Sequence, residues 1–429
     1  MIWASTLSTI LRVSSNSHTM GILYNIGIHC YTRGIAIASL WNTKARLWWQ
    51  GRQGIRHTIE QRLADRQERR IWIHVASLGE FEQARPIIEQ IKQHDTSLKI
   101  VLTFFSPSGY EIRKNYPLAD YIFYLPADTS SNAKWFLDAM KPEVAVFIKY
   151  EFWLNYLSEL RNRAVPTYLV SAIFRADSVF FKHWGAAWRK ALSTFHTIFV
   201  QDKGSKELLE LIDIKSVSIA GDTRFDRVRS IADAAQQIPI IENFCDSNKI
   251  LVAGSTWAQD EEILLRAINN NPNIKFIIAP HEMDESRIEH IIKGSQGGAI
   301  RYTQTTPSSD IRNNQVLILD TIGILSSAYR YATFTYVGGG FGAGIHNTLE
   351  PAIFGHPIAF GPRYKRFKEA CDMVELGIAT SIRNYDDLEQ WLSRLSDDNY
   401  CRAISLRAKE YSESNCGATE LIIKQILNL

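Results

Sequence analysis

The sequence predicts an α/β chain built from two parallel-sheet halves. Short apolar, β-branched runs recur with helical stretches between them. In addition, 429 residues at 45% hydrophobic and 22% charged make an ordinary globular composition on a chain too long for one core. The first series is IWIHVA (71–76), KIVLTF (99–104), VAVFI (144–148), TYLVS (167–171) and TIFVQ (197–201). The second is SVSIAG (216–221), KILVAGS (249–255), KFIIAP (275–280), QVLILD (315–320), FTYVGG (334–339) and PIAFG (357–361). Runs this continuously apolar suit strands covered on both faces by crossover helices. We read them as two Rossmann-like domains facing a central cleft, 58–215 and 216–429, divided near 210–220 where KELLELIDIKS closes a helix.

The segment before the first strand has its own character. Val13 to Thr32 carries no formal charge but is rich in Ser, Asn and His, and the apolar run Gly34 to Trp41 is far short of the ~20 residues that cross a bilayer. Trp41, Trp48 and Trp49 interleave with Arg33, Lys44, Arg46, Arg52 and Arg56, a mixture that suits the headgroup layer of a membrane surface or a helix packed on its own domain. We therefore read 20–57 as a membrane-associated helical segment and 1–19, which precede the more natural start at Met20, as either an over-long gene prediction or a disordered lead. The net charge of only +3 argues against a nucleic-acid partner. Five scattered cysteines without a CxxC fit a reduced cytosolic compartment.

Ligands of open α/β sheets sit beyond the carboxyl ends of the strands, so polar motifs at those ends are the candidates. After the first strand come Ser77, Gly79 and Glu80. A carboxylate at a strand-to-helix turn can be desolvated into the range of a general base, and Ser77 with Glu80 also has the spacing of a capping box. Ser106 and Ser108 follow the second strand and either bind a polar ligand or start a helix. Asp128 and Ser130, in LPADTSSN, are equally able to cap. Lys149 and Glu151 follow VAVFI, where Glu151 holds a ligand group at the cleft or pairs with Lys149 or an arginine.

In the second series, Arg224 of GDTRFDRV could reach a phosphate with two donors. Ser255 and Thr256 of AGSTW could donate to phosphate oxygens. His281 and Glu282 end another strand but lack the second histidine of an HExxH site, so no metal is expected. VGGGFGAGIHNTLEPAIFGHPIAFGP (337–362) reads as a nucleotide cradle. There Gly338, Gly339, Gly340, Gly342 and Gly344 would let backbone N–H groups approach a phosphate, with a helix of roughly 348–354 opened by His346 or Asn347. Glu350 in its first turn could cap the backbone or accept ribose hydroxyls.

The ordered motifs SLGEFEQARP, SPSGYE, YLPADT, GDTRFDRV, AGSTW, APHE and GGGFGAGIHNTLEPAIFGHPIAFGP resemble those of the 3-deoxy-D-manno-octulosonic acid (Kdo) transferases, over roughly residues 20–425. The resemblance implies a GT-B glycosyltransferase with an inverting transfer of Kdo from CMP-Kdo to the 6'-hydroxyl of a lipid A precursor at the cytoplasmic face of the inner membrane, and no cofactor or metal. It implies that Glu80 is the general base and Glu151 a second acidic residue on the acceptor or Kdo side. Ser255, His281, Glu282, Gly340, Gly342, Asn347 and Glu350 would serve the donor, with Arg224 near its phosphate. The residues also leave open a GT-B enzyme with another nucleotide-sugar donor, or a sugar-nucleotide sensor without turnover.

Overall fold

The computed structural model describes residues 17–65, 67–246, 249–394 and 396–428. Most of the expected lead, residues 1–16, lies outside them, and the first helix, Ser17–Ala38, begins before Met20. The chain forms two compact units, one of residues up to 227 together with 416–429, the other of 228–415.

The first unit holds a parallel seven-stranded sheet in the order β3-β2-β1-β4-β5-β6-β7. Its strands are β1 (Arg70–Val75), β2 (Lys99–Phe104), β3 (Tyr121–Tyr124), β4 (Val144–Ile148), β5 (Thr167–Ala172), β6 (Thr197–Val200) and β7 (Val217–Ile219). Successive side chains of β1 alternate between faces. Trp72 joins Phe136, Phe147 and Tyr156 on one face, while Ile71, Ile73 and Val75 join Phe81, Ile88 and Leu102 on the other. The final helix, Ala418–Ile426, buries Ile422, Ile423 and Ile426 in that second cluster. At about 1.5–3 kcal/mol per buried Ile, this anchors the chain end to the first unit. Asp226 fixes its start by accepting from the Thr419 N–H at 2.7 Å and from the Thr419 hydroxyl at 2.6 Å.

The second unit repeats the plan with the order β10-β11-β9-β8-β12-β13-β14. The strands are β8 (Lys249–Thr256), β9 (Ile274–Pro280), β10 (Ala299–Arg301), β11 (Val316–Ile318), β12 (Phe334–Val337), β13 (Ile358–Phe360) and β14 (Ala379–Ser381). Two apolar clusters cover its faces, one with Phe276, Phe334 and Trp391 and the other with Phe244, Ile277 and Tyr329.

The sequence reading differs from this topology at the sheet edges. SVSIAG, expected to open the second sheet, is β7 of the first, pairing Ile198 with Val217 and Val200 with Ile219. An apolar run specifies a strand but not the sheet it joins. The strands β3, β10 and β14 were not delimited in advance, and all three lie at edges. An edge strand needs apolar cover over fewer residues, so its sequence pattern is short.

Strand order reverses between β1 and β4 in the first sheet and between β8 and β12 in the second. At such a switch point the following connections diverge to opposite faces and leave a crevice at the carboxyl ends. Topology alone therefore singles out the residues after β1, β4, β8 and β12.

Candidate active site

At the β1/β4 switch point, β1 runs into Ser77, which begins the helix Leu78–His94, with Glu80 in its first turn. The carboxylate of Glu80 turns back and accepts from the Ala76 N–H. The Ser77 side chain makes no capping bond, so the expected reciprocal capping box does not form. Burial and the charge of Glu151 push Glu80 up to about 8, against the opposing pull of the Ala76 N–H and Lys149. Glu80 is thus a carboxylate that takes up a proton near neutral pH.

Glu151 is buried, and its partner is neither Lys149 nor an arginine. Its Oε2 lies 3.0 Å from His74 Nε2 and accepts from Trp153 Nε1 at 2.6 Å. His74 Nδ1 in turn meets the Thr103 hydroxyl at 2.8 Å, which also accepts from Trp72 Nε1 at 2.8 Å. The sheet builds this chain, because His74 stands beside Thr103 on β2 and Phe147 on β4 in register. A polar relay thus crosses the apolar face of three strands and ends at Glu151. Lys149, between β4 and Glu151, has φ +65. A left-handed lysine carries strain of about 1–3 kcal/mol, a feature that gathers at functional turns.

Ser106 and Ser108 lie beside this turn because Gly109 lets the chain approach: a Cβ there would stand 3.0 Å from the Ser77 backbone. Ser106 caps the helix Pro107–Arg113 through the Ser108 N–H, and the two hydroxyls are 2.9 Å apart. Gly79 is exposed, and a Cβ on it would meet nothing within 4 Å, so no packing requirement accounts for it. Asp128 is buried and caps the helix Leu154–Asn162 through the N–H groups of Asn155 at 3.1 Å and Tyr156 at 3.0 Å. It also accepts from Tyr24 at 2.6 Å, which ties the first helix to the unit.

Arg224, expected beside a donor phosphate in the second half, belongs to the first unit. Its guanidinium grips the buried Asp222 at 2.8 and 2.9 Å. The attraction of Arg224 holds the Asp222 carboxyl below its usual range despite burial. A fork committed in this way has a structural reason independent of any phosphate.

At the β8/β12 switch point, Ser255 has φ +54 at a register shift in β8. This mirrors Lys149 in the first unit. Thr256, by contrast, is fully buried and donates to Glu261 at 2.8 Å, so its hydroxyl is spent inside the fold. His281 stacks over both Trp257 and His346, whose rings lie side by side, with ring centroids 4.9 and 4.2 Å away. Trp257 Nε1 donates to His346 Nε2 at 2.9 Å, and burial beside His281 pushes His346 down to about 4. This three-ring stack went unforeseen, although its members stand in the AGSTW, APHE and IHNTLE motifs. Glu282 is exposed next to it. Among the described residues no group of His, Cys, Asp or Glu is placed to hold a metal ion.

The glycine loop after β12 is largely a packing device. The N–H groups of Gly338, Gly339, Gly342 and Gly344 are bonded within the unit, to Gly254, Asp260 and Gly339. A Cβ on Gly338 would stand 2.2 Å from the Ser255 carbonyl oxygen, and one on Gly340 would stand 2.6 Å from Gly361 Cα. Gly342 has only an ordinary contact at 3.7 Å. Gly338→Ala should therefore cost about 1–3 kcal/mol or more by overpacking backbone against backbone, while Gly342→Ala should be close to neutral. Urea unfolding of the two variants checks this, and equal stabilities would contradict it.

The helix expected at 348–354 is the single turn Leu349–Ile353, too short to present a macrodipole to an anion. Gly355, at φ +79, ends it. Asn347 accepts from the Leu349 N–H at 3.0 Å and donates to Glu350 at 3.0 Å, and Ser326 donates to the other Glu350 oxygen at 2.7 Å. Glu350 is thereby held in a fixed orientation while half-exposed.

Residues 49–227 match the family model described as 3-Deoxy-D-manno-octulosonic-acid transferase (kdotransferase). The chain is 26% identical over 372 residues to the 3-deoxy-D-manno-octulosonic acid transferase of Rickettsia prowazekii, covering 83% of this chain and 78% of that one. It is 26% identical over 333 residues to the enzyme of the same name from Aquifex aeolicus, covering 76% and 85%. Among solved structures, UDP-GlcNAc 2-epimerase from Neisseria meningitidis bound to UDP-GlcNAc superposes with a TM-score of 0.57 at 13% identity, over 84% of this chain and 100% of that one. MurG from Acinetobacter baumannii does so at 0.55 and 11% identity, over 84% and 100%. Such distant likenesses establish the fold, two parallel-sheet units of GT-B type. With the ordered motifs, the sequence matches make the chain similar to the 3-deoxy-D-manno-octulosonic acid (Kdo) transferases, over residues 49–227 in the family model and over 83% and 76% of its length in these two relatives.

Proposed function

We propose that the protein transfers Kdo from CMP-Kdo to the 6'-hydroxyl of a lipid A precursor with inversion, in lipopolysaccharide synthesis, and that Glu80 is the general base. The observation that carries this reading is Glu80 itself, a half-buried carboxylate at the β1/β4 switch point pushed up to about 8. In its ionised form it takes the proton of the acceptor hydroxyl as that oxygen attacks the anomeric carbon and CMP departs from the opposite face. Glu151, oriented by His74 and Trp153, keeps the proton affinity of Glu80 high and faces the acceptor or Kdo. Ser77, Gly79, Ser106 and Ser108 line the same end of the first sheet. In the second unit the strained Ser255, His281 in its ring stack, and Glu350 held by Asn347 and Ser326 receive the donor, with Glu350 on the ribose and Glu282, Gly340 and Gly342 nearby.

The acceptor is an amphiphile, so the enzyme works at the cytoplasmic surface of the inner membrane. Ile22, Leu23, Ile26, Ile37, Leu40 and Trp41 support this, being between 53% and 75% exposed along the first helix and its end. No helix among the described residues is long and apolar enough to cross a membrane. The test is incubation with CMP-Kdo and a tetraacylated lipid A precursor in detergent, read by product mass. A mass gain of one or more Kdo units, inhibited by CMP and not by UDP, is expected. Bound CMP without product would favour the sensor, and turnover of a UDP-sugar instead would favour another donor.

A further inference from the structure

The structure assigns a binding site for the phosphate headgroup of an anionic lipid to a cavity of about 530 Å³ in the first unit, walled by Trp48, Trp49 and Trp135 and lined by Arg52 and Lys134. The assignment deepens the membrane-surface reading above and stands apart from the transfer chemistry. It starts from a charge without a counter-ion. The Arg52 guanidinium is packed against the rings of Trp48, Tyr124 and Phe105, with centroids 3.8, 4.8 and 5.3 Å away. It donates only to carbonyl oxygens, those of Leu125 at 2.8 Å, Phe105 at 2.9 Å and Trp48 at 3.1 Å. Burial pushes it down to about 9, which leaves it cationic at neutral pH.

Among the described residues no carboxylate pairs with Arg52 or with the exposed Lys134. The other charges on the wall are answered: Arg56 by Glu60 at 2.9 Å, and Asp138 by Arg163 at 2.9 Å. A cation drawn out of water without an anion is costly, and an anion entering the cavity offsets that cost. Two further features suit a phosphate monoester. Ser131 and Asn132 on the wall lie in the first turn of the 11-residue helix Ser130–Met140, whose N-terminal end favours an anion. Thr32, also on the wall, belongs to the helix that carries the exposed apolar side chains, so acyl chains leaving the cavity would meet an apolar surface. Arg52, whose three nitrogens already donate to carbonyls, supplies fixed positive charge, Lys134 the mobile charge and donor, and the indoles cover the glycerol.

The probe is dihexanoyl phosphatidic acid, used as a monomer so that no bilayer is needed, and binding is read by titration calorimetry. Arg52 is left intact because it holds three carbonyls, and Lys134 on the rim is changed instead. Saturable binding to the wild type is expected, weakened about tenfold by Lys134→Glu. Lys44→Glu makes the same charge change on an exposed lysine of the flanking helix outside the cavity, and should move the affinity by less than roughly twofold. Equal weakening by both variants would reduce the effect to diffuse charge and overturn the site, as would absence of binding. Inorganic phosphate binding as tightly as the lipid would overturn the headgroup assignment in favour of free phosphate. Flotation with phosphatidylcholine vesicles tests the surface reading separately: loss of flotation with retained binding of the soluble lipid would sink that reading and leave this site standing.

Discussion

Glu80→Gln is expected to cut Kdo transfer by about 10²–10⁴-fold, the usual contribution of a general base, while the fold survives. The amide keeps the shape and can still accept from the Ala76 N–H, but it cannot take a proton from the acceptor. Wild-type kcat/KM should rise with pH and level off above about 8, because only the ionised carboxylate acts. Glu80→Gln should lose that limb along with the rate. Stability supplies a second readout. Glu80 is raised above the value of about 4.5 that it has in an unfolded chain, so between these two pH values the folded protein holds more protons than the unfolded one. Wild-type stability attributable to this group therefore falls as pH rises from about 4.5 to about 8. Glu80→Gln should be the more stable protein at pH 9 and lose its advantage toward pH 4. Unimpaired transfer by Glu80→Gln would remove Glu80 from the chemistry, and a flat difference in urea midpoint across this range would contradict its raised proton affinity.

Both carboxylates were legible in the sequence because each directly follows a strand, and a charged residue there is not a core feature. Their physical coupling was not legible. It depends on β1 and β4 being neighbours at the switch point, although 68 residues separate Val75 from Val144 in the chain. His74 escaped notice for a related reason. It sits inside an apolar strand, where one histidine reads as a satisfied core residue, and only the register with Thr103 and the return of Glu151 reveal the relay. The signal available was a titratable residue on the face that also carries Trp72.

The glycine loop failed in the opposite way. Five glycines in a short span read as a phosphate cradle, yet Gly338 and Gly340 are required where backbone meets backbone, and the N–H groups of Gly338, Gly339, Gly342 and Gly344 are bonded within the unit. Glycine marks close approach without saying what approaches. Arg224 likewise looked available until Asp222, two residues earlier, proved to hold it.

Glu151→Gln is expected to move the rising limb of the wild-type pH profile to lower pH. The charge of Glu151 is the second cause, after burial, of the raised proton affinity of Glu80, so a neutral amide should remove part of the shift and leave the part that burial imposes. At pH 6 the variant would hold more of Glu80 ionised. Its plateau rate should nevertheless be lower, since a base of weaker proton affinity drives the transfer less. A limb that stays in place would mean that the two carboxylates do not interact in solution. Truncation separates this electrostatic role from the structural one: Glu151→Ala removes the acceptor shared by His74 and Trp153 and leaves the Trp153 N–H only His74 Nε2, 3.0 Å away, at about 1–3 kcal/mol for the buried pairing that is lost. Glu151→Gln, which can still accept from Trp153, should lose less. Because Glu80 and Glu151 repel each other only when both are ionised, the stability effects of Glu80→Gln and Glu151→Gln should add at pH 4 and fall short of additivity at pH 9, where either substitution alone relieves the same repulsion.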